Sequence, residues 1–135
     1  MKFSYDRLNT ADRRGSSRSD YLIAVDADLR VAVGGETVYE DQDFPVVELA
    51  RSLLMWIDDA DRGDFEFDSM SFEEVGSIAF RQSSDGWRFH SVFRPGVVTA
   101  RVDWDEVGAG CRGLITCVTA DLAGLGLDPA EVLRP

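Results

Sequence analysis

Histidine, cysteine and long hydrophobic runs are scarce in this 135-residue sequence. The only histidine is His90, and the two cysteines, Cys111 and Cys117, lie six residues apart. A zinc site made of Cys and His cannot be completed from these residues. In a helix, two residues six apart point to different sides of the axis, where a disulfide is hard to form. We therefore expect no metal and no cofactor, and we interpret both cysteines as small buried apolar side chains.

Membrane and export signals are also missing. The longest uninterrupted apolar runs have five residues, as at 53–57, whereas a membrane-spanning helix needs about 18 or more. The N-terminus passes directly into charged sequence, without the apolar segment of a secretory signal. These absences predict no membrane partner and a cytoplasmic protein.

The length fits a single domain covering residues 1–135. Residues 9–20 contain almost no apolar side chain, so we expect a flexible loop there. Apolar residues recur at spacings of three and four over 44–60 and 107–125, which predicts two main helices. β-rich runs with hairpin turns surround them. This order favours an α+β fold, in which both helices pack on one antiparallel sheet of about five to seven strands.

Local signals refine these elements. Asp43 and Pro45 have the form of an N-cap and a first-turn proline for the first helix, and Asp128 has the form of an N-cap for a short terminal helical turn. The strands expected between the two main helices cover 65–68, 77–81, 87–93 and 97–104.

Negative charge is the outlier of the composition. The chain has 25 Asp and Glu against 14 Lys and Arg, a net charge of −11, which argues against binding a nucleic-acid backbone. Residues 36–74 contain thirteen acidic residues and only two arginines. The remainder of the chain is neutral, so the net charge belongs entirely to this window.

The acidic window predicts a surface for a basic protein partner, reached by electrostatic steering. Acids before the first helix are favoured by the helix dipole, but those after it and on the next strand are not. Tyr39 would supply an aromatic anchor if it is exposed, whereas Trp56 is expected in the core. The alternative is a solvated face that only keeps the protein soluble. The predicted partner-binding residues are Glu40, Asp41, Asp58, Asp59, Asp61, Asp64, Glu66, Asp68 and Tyr39.

No catalytic motif is complete in the sequence. His90 is accompanied by no recognisable nucleophile, so we predict a protein that is not an enzyme, with a small enzyme using His90 as an alternative. A G-x-G-x-x-G string formed by Gly108, Gly110 and Gly113 leaves only 22 residues after it, too few for the βαβ unit of a dinucleotide-binding fold.

One arrangement of elements resembles a known group of proteins. It consists of an aromatic-aliphatic strand at Tyr21-Leu22, an L-A-x-x-L-x-x-W helix at 48–57, a strand ending near residues 65–67, and a closing helix. From about residue 20 this layout resembles small immunity proteins of the WapI type, from polymorphic toxin systems, and related uncharacterised actinobacterial families. The resemblance implies a cytoplasmic inhibitor that neutralises a basic toxin or nuclease domain by binding it. A general protein-interaction or regulatory domain is the alternative.

Overall fold

A computed structural model describes residues 1–9, 25–97 and 99–133 and shows an α+β fold. Of the predicted loop at 9–20, only Asn9 belongs to these residues, as the end of the first strand; the rest lies outside them. The elements follow one another as β1 (Lys2–Asn9), β2 (Asp26–Val33), β3 (Glu36–Phe44), α1 (Val46–Ile57), β4 (Phe65–Glu66), β5 (Ala79–Ser83), β6 (Gly86–His90), α2 (Trp104–Gly124) and α3 (Pro129–Leu133).

The first sheet has the strand order β1-β2-β3 and is antiparallel. Phe3, Val31 and Tyr39 stand side by side across its three strands, and all three are buried. Gly34 and Gly35 form the turn between β2 and β3, where both have positive φ angles, as a tight two-residue hairpin turn requires. One face of this sheet therefore belongs to the core.

The second sheet has the order β4-β5-β6 and is also antiparallel. Phe65, Phe80 and Phe89 are paired across it and are buried. The Phe3 and Phe80 rings meet edge to face with centroids 6.1 Å apart, so the two sheets share one core. The described strands thus form two sheets of three, and the prediction of one sheet of five to seven strands is wrong.

The expected strand at 97–104 explains part of this difference. The described part of that segment follows β6, but only Val102 makes a backbone bridge, to Trp87. At Phe89 the side chain of Thr99 replaces a strand partner: the Phe89 N–H donates to the Thr99 hydroxyl at 3.2 Å, and this hydroxyl lies 3.4 Å from the Phe89 carbonyl oxygen. A side chain has taken over part of the backbone pairing, and the described part of this segment contributes an isolated bridge instead of a strand.

Helix α1 begins later than the pattern predicts, because Pro45 occupies its N-cap position and no side chain caps it. Proline forces the preceding residue into extended backbone, so Phe44 ends β3 and the helix cannot start at residue 44. The N-cap prediction for Asp43 is therefore wrong; this residue lies in β3 with a φ of 54°. The periodicity itself is confirmed, since Leu49 and Leu53 are fully buried.

Helix α2 begins three residues before its predicted start, because Asp103 caps it by accepting the Glu106 N–H at 2.9 Å. Cys111 lies on its buried face, whereas Cys117 is exposed, so the prediction that both cysteines are buried is wrong for Cys117. Residues six apart point to different sides of a helix, so one cysteine faces the core and the other faces solvent. The Asp128 cap is confirmed: its carboxylate accepts the Ala130 N–H at 3.0 Å. No helix in the described part of the chain is long and apolar enough to cross a membrane.

Candidate functional site

The predicted site residues on β3 are held by neighbours within the chain. Tyr39 is only 3% exposed, so it is a core residue and cannot serve as an exposed anchor. Its hydroxyl donates to Asp41 at 3.0 Å. Burial and the nearby Asp41 charge raise the pKa of Tyr39 well above its usual range. Glu40 stands opposite Arg30 in the sheet and pairs with it at 2.8 Å.

A second group of predicted residues lies in the acidic turn, which we define as residues 58–64 after α1. Arg62 organises this turn by donating from Nη1 to the carbonyl of Ile57 at 3.1 Å, while its guanidinium lies 3.9 Å from the centre of the Trp104 ring. A cation at a helix C-terminus offsets the unfavourable dipole of that end. Asp58, Asp59 and Asp61 are exposed around it. The turn therefore presents its carboxylates to solvent from a fixed backbone.

Asp64, Glu66 and Asp68 alternate with buried residues and are exposed. Asp64 accepts the backbone N–H of Gln82 at 2.9 Å, and Glu66 lies 3.8 Å from Arg81 on the neighbouring strand. Asp68 has no ion pair or side-chain hydrogen bond among the residues that the structure describes. Arg81 therefore offsets the charge of Glu66, whereas the charge of Asp68 has no such counterion within the described part of the chain.

Exposed apolar side chains form a surface that the sequence reasoning missed. We define the apolar platform as Met70, Phe72, Val75, Val92 and Phe93. Met70 is 61% exposed, and Val75, Val92 and Phe93 are each more than 40% exposed. The Phe72 and Phe93 rings lie 5.6 Å apart, and the Val92 N–H donates to the carbonyl of Gly76 at 2.8 Å. These contacts hold together the two loops that carry the five residues.

The platform shares its main loop with unpaired acids. Residues 67–76, which we name the acidic loop, carry Asp68, Glu73 and Glu74, all exposed. Within the described part of the chain, none of these carboxylates has an ion pair. An apolar surface with a charged rim is the arrangement typical of protein interfaces. The signal in the sequence is the presence of large apolar residues in a segment without helical or strand periodicity.

Buried Glu48 holds the acidic loop in place. It projects from the first turn of α1 and is only 6% exposed. Its carboxyl group accepts the Ser69 hydroxyl at 2.5 Å and the Met70 N–H at 3.1 Å. The Ser69 hydroxyl oxygen in turn accepts the Ser71 N–H at 3.0 Å. This network fixes the backbone beneath Met70, so the platform has a defined orientation.

Two groups that enzymes can use as a base or a nucleophile, His90 and Cys111, have pKa values that are shifted by their surroundings. Burial and the charges of Arg81 and Arg88 lower the pKa of His90, with Asp64 opposing them. Burial raises the pKa of the Cys111 thiol to about 12, which leaves it a poor nucleophile at neutral pH. Among the residues that the structure describes, no three His, Cys, Asp or Glu side chains are arranged to hold a metal ion.

Comparisons with known proteins identify a family. A family model with the description "Domain of unknown function (DUF7878)" matches residues 1–124. Neither the curated proteins nor the solved structures contain a significant match to this chain.

Proposed function

We propose that this chain, which belongs to the DUF7878 family, is a non-enzymatic binding protein for a basic protein partner. More specifically, the protein would be an immunity-type inhibitor, which neutralises a basic toxin or nuclease domain by binding to it. The observation that carries the proposal is a set of exposed carboxylates without an ion pair in the described part of the chain. They include Asp58, Asp59 and Asp61 in the acidic turn and Asp68, Glu73 and Glu74 in the acidic loop.

The physical basis is the cost of leaving these charges together. Like charges on a chain of net charge −11 repel one another, and at the C-terminal end of α1 the helix dipole adds to the cost. Other acids, such as Glu40 with Arg30, have a counterion within the fold. A basic partner would supply the missing counterions and would be steered towards them.

Association kinetics with the partner test this proposal. The partner is first identified by affinity capture from the native organism, and its association rate is then measured at several salt concentrations. We expect Asp58→Asn/Asp61→Asn and Glu73→Gln/Glu74→Gln each to slow association several-fold and to flatten its salt dependence. Dissociation should change less.

Asp6→Asn/Asp105→Asn is the matched control, because it removes two exposed charges that lie outside the acidic window. It should leave the association rate close to that of the wild type. An acidic partner, or equal slowing by all three variants, would contradict the proposal. The immunity role requires in addition that the chain protects growth when it is coexpressed with the captured protein. A lack of protection would leave only the general binding role.

A further inference from the structure

We infer that the apolar platform is the anchoring point for a basic segment of the partner that carries large apolar side chains. This inference rests on the proposed function and names the chemistry that the same region would recognise. Lysine and arginine residues of the segment would face the acidic loop, and an apolar side chain between them would lie on Met70 and Phe93.

Four side chains of the platform are exposed to solvent. Single exposed apolar residues are common on protein surfaces, but a connected group of them is informative. Met70, Val75, Val92 and Phe93 are all exposed, and they lie in two loops joined by the Val92 to Gly76 hydrogen bond. Leaving such side chains in water costs free energy that a partner can recover by covering them.

The platform is preorganised by contacts with the core and with Glu48. Phe72 lies between the exposed Phe93 ring, 5.6 Å away, and the fully buried Phe44 ring, 5.5 Å away. The platform is therefore continuous with the hydrophobic core. Glu48 fixes the backbone at Met70 from beneath. A surface held in this way loses little conformational entropy when a partner binds.

Charge decides between possible occupants. Asp68, Glu73 and Glu74 are exposed in the loop that carries most of the platform. A second copy of this chain would bring the same acids face to face, and an anionic lipid surface would be repelled by them. A segment with lysine or arginine beside its apolar residues is the occupant that satisfies both features. Residues 91–97 of the second loop carry a single cation, Arg94, against three acids in the acidic loop, so negative charge is in excess.

Synthetic peptides test this inference with the full chain. The probe is a lysine- and arginine-rich peptide with central Trp and Leu residues, compared with the same peptide in which both are Ser. Affinities come from fluorescence anisotropy, and amide chemical shifts locate the binding site. We expect the apolar peptide to bind at least about tenfold more tightly, with shifts concentrated at residues 69–76 and 91–97.

Surface variants test whether the apolar peptide binds at the platform or at exposed apolar residues in general. Met70→Ser/Phe93→Ser should abolish the advantage of the apolar peptide. Met55→Ser/Leu125→Ser is the matched control, because neither residue belongs to the platform: Met55 in α1 is 46% exposed, and Leu125 at the C-cap of α2 is 40% exposed. This control should bind the apolar peptide as the wild type does.

The outcomes distinguish this inference from the proposed function. If both basic peptides bind equally and both lose affinity in Glu73→Gln/Glu74→Gln, anchoring at the platform is wrong while the basic-partner proposal stands. If only an acidic version of the apolar peptide binds, both are wrong. Sedimentation that shows a dimer dissociated by Met70→Ser/Phe93→Ser would overturn the inference in favour of a second copy of the chain.

Discussion

At the scale of single residues, the function of an acid depends on which atoms surround it. Glu48 and Glu73 belong to the same acidic window, yet Glu48 is buried and accepts two hydrogen bonds, whereas Glu73 is exposed. The sequence cannot separate them by charge. Their positions in an apolar helical stripe and in an aperiodic loop are the only available signals.

Replacement of Glu48 tests the support beneath the platform. Glu48→Ala would leave the Ser69 hydroxyl and the Met70 N–H without their acceptor in a largely buried position. We expect a loss of about 2–3 kcal/mol in the free energy of unfolding, measured by urea denaturation. The amides of Met70 and Ser71 should also exchange faster with solvent, because the loop is released.

Two comparisons make the Glu48 prediction specific. Glu48→Gln keeps an acceptor oxygen and the side-chain volume, so it should lose less stability than Glu48→Ala. Ser77→Ala should be neutral or stabilising, because the Ser77 hydroxyl is fully buried and makes no hydrogen bond to any residue that the structure describes. A Glu48→Ala variant as stable as the wild type would show that this network does not hold the loop.

At the scale of elements, helix α2 shows how identical residues can have opposite roles. Gly110 and Gly113 lie in the same helix. A Cβ at Gly113 would meet nothing within 4 Å, whereas a Cβ at Gly110 would overlap the methyl group of Met1 and lie 3.1 Å from its carbonyl oxygen. Gly110 therefore permits the N-terminal segment to approach the helix closely.

Alanine substitutions at the two glycines should change the free energy of unfolding in opposite directions. Gly113→Ala should stabilise the protein by about 0.5–1 kcal/mol through helix propensity alone. Gly110→Ala gains the same propensity but must displace Met1, so its free energy of unfolding should fall below that of Gly113→Ala by about 1–3 kcal/mol. Thermal and urea unfolding of the two variants provide the measurement. Equal stabilisation would mean that Met1 does not pack against α2.

The two main helices could be predicted because the helical spacing of their apolar residues is repeated over many residues. Leu49 and Leu53 in α1, and Leu114 and Val118 in α2, are buried as their spacing predicts. The segment at 97–104 was mispredicted because its β-rich composition says nothing about hydrogen bonding. There the Thr99 hydroxyl, a side-chain group, bonds the backbone of Phe89.

At the scale of the whole molecule, the net charge of −11 sets the response to salt. Self-repulsion among exposed acids destabilises the folded chain and is screened by ions. We therefore expect the midpoint of thermal unfolding, Tm, to rise as NaCl increases from about 0.02 M to 0.5 M. Calorimetry of the isolated protein measures this dependence.

The acidic turn should contribute to the dependence of Tm on NaCl concentration. Asp58→Asn/Asp61→Asn removes two exposed carboxylates from the unfavourable end of α1. Its Tm should be higher than that of the wild type at low salt and should rise less with NaCl. A Tm that falls with salt, or an identical salt slope in the two proteins, would contradict the idea that this turn is under electrostatic strain.

Much of the candidate site could not be predicted from the sequence. The acidic window was visible as a charge count, but the count could not reveal that Tyr39 is buried or that Glu40 pairs with Arg30. The platform was invisible, because Met70 and Phe93 are 23 positions apart in sequence. Only the fold brings their loops together, through Phe72 and the Val92 to Gly76 bond.

The sequence by itself determined the α+β class, the two main helices and the concentration of negative charge, since periodicity and composition are local properties of the chain. The tertiary structure decided that the strands form two sheets, which acids find partners, and which apolar residues stay exposed. These features depend on contacts between distant segments, and the free energy of such contacts is set by packing and hydrogen bonding that no local pattern encodes.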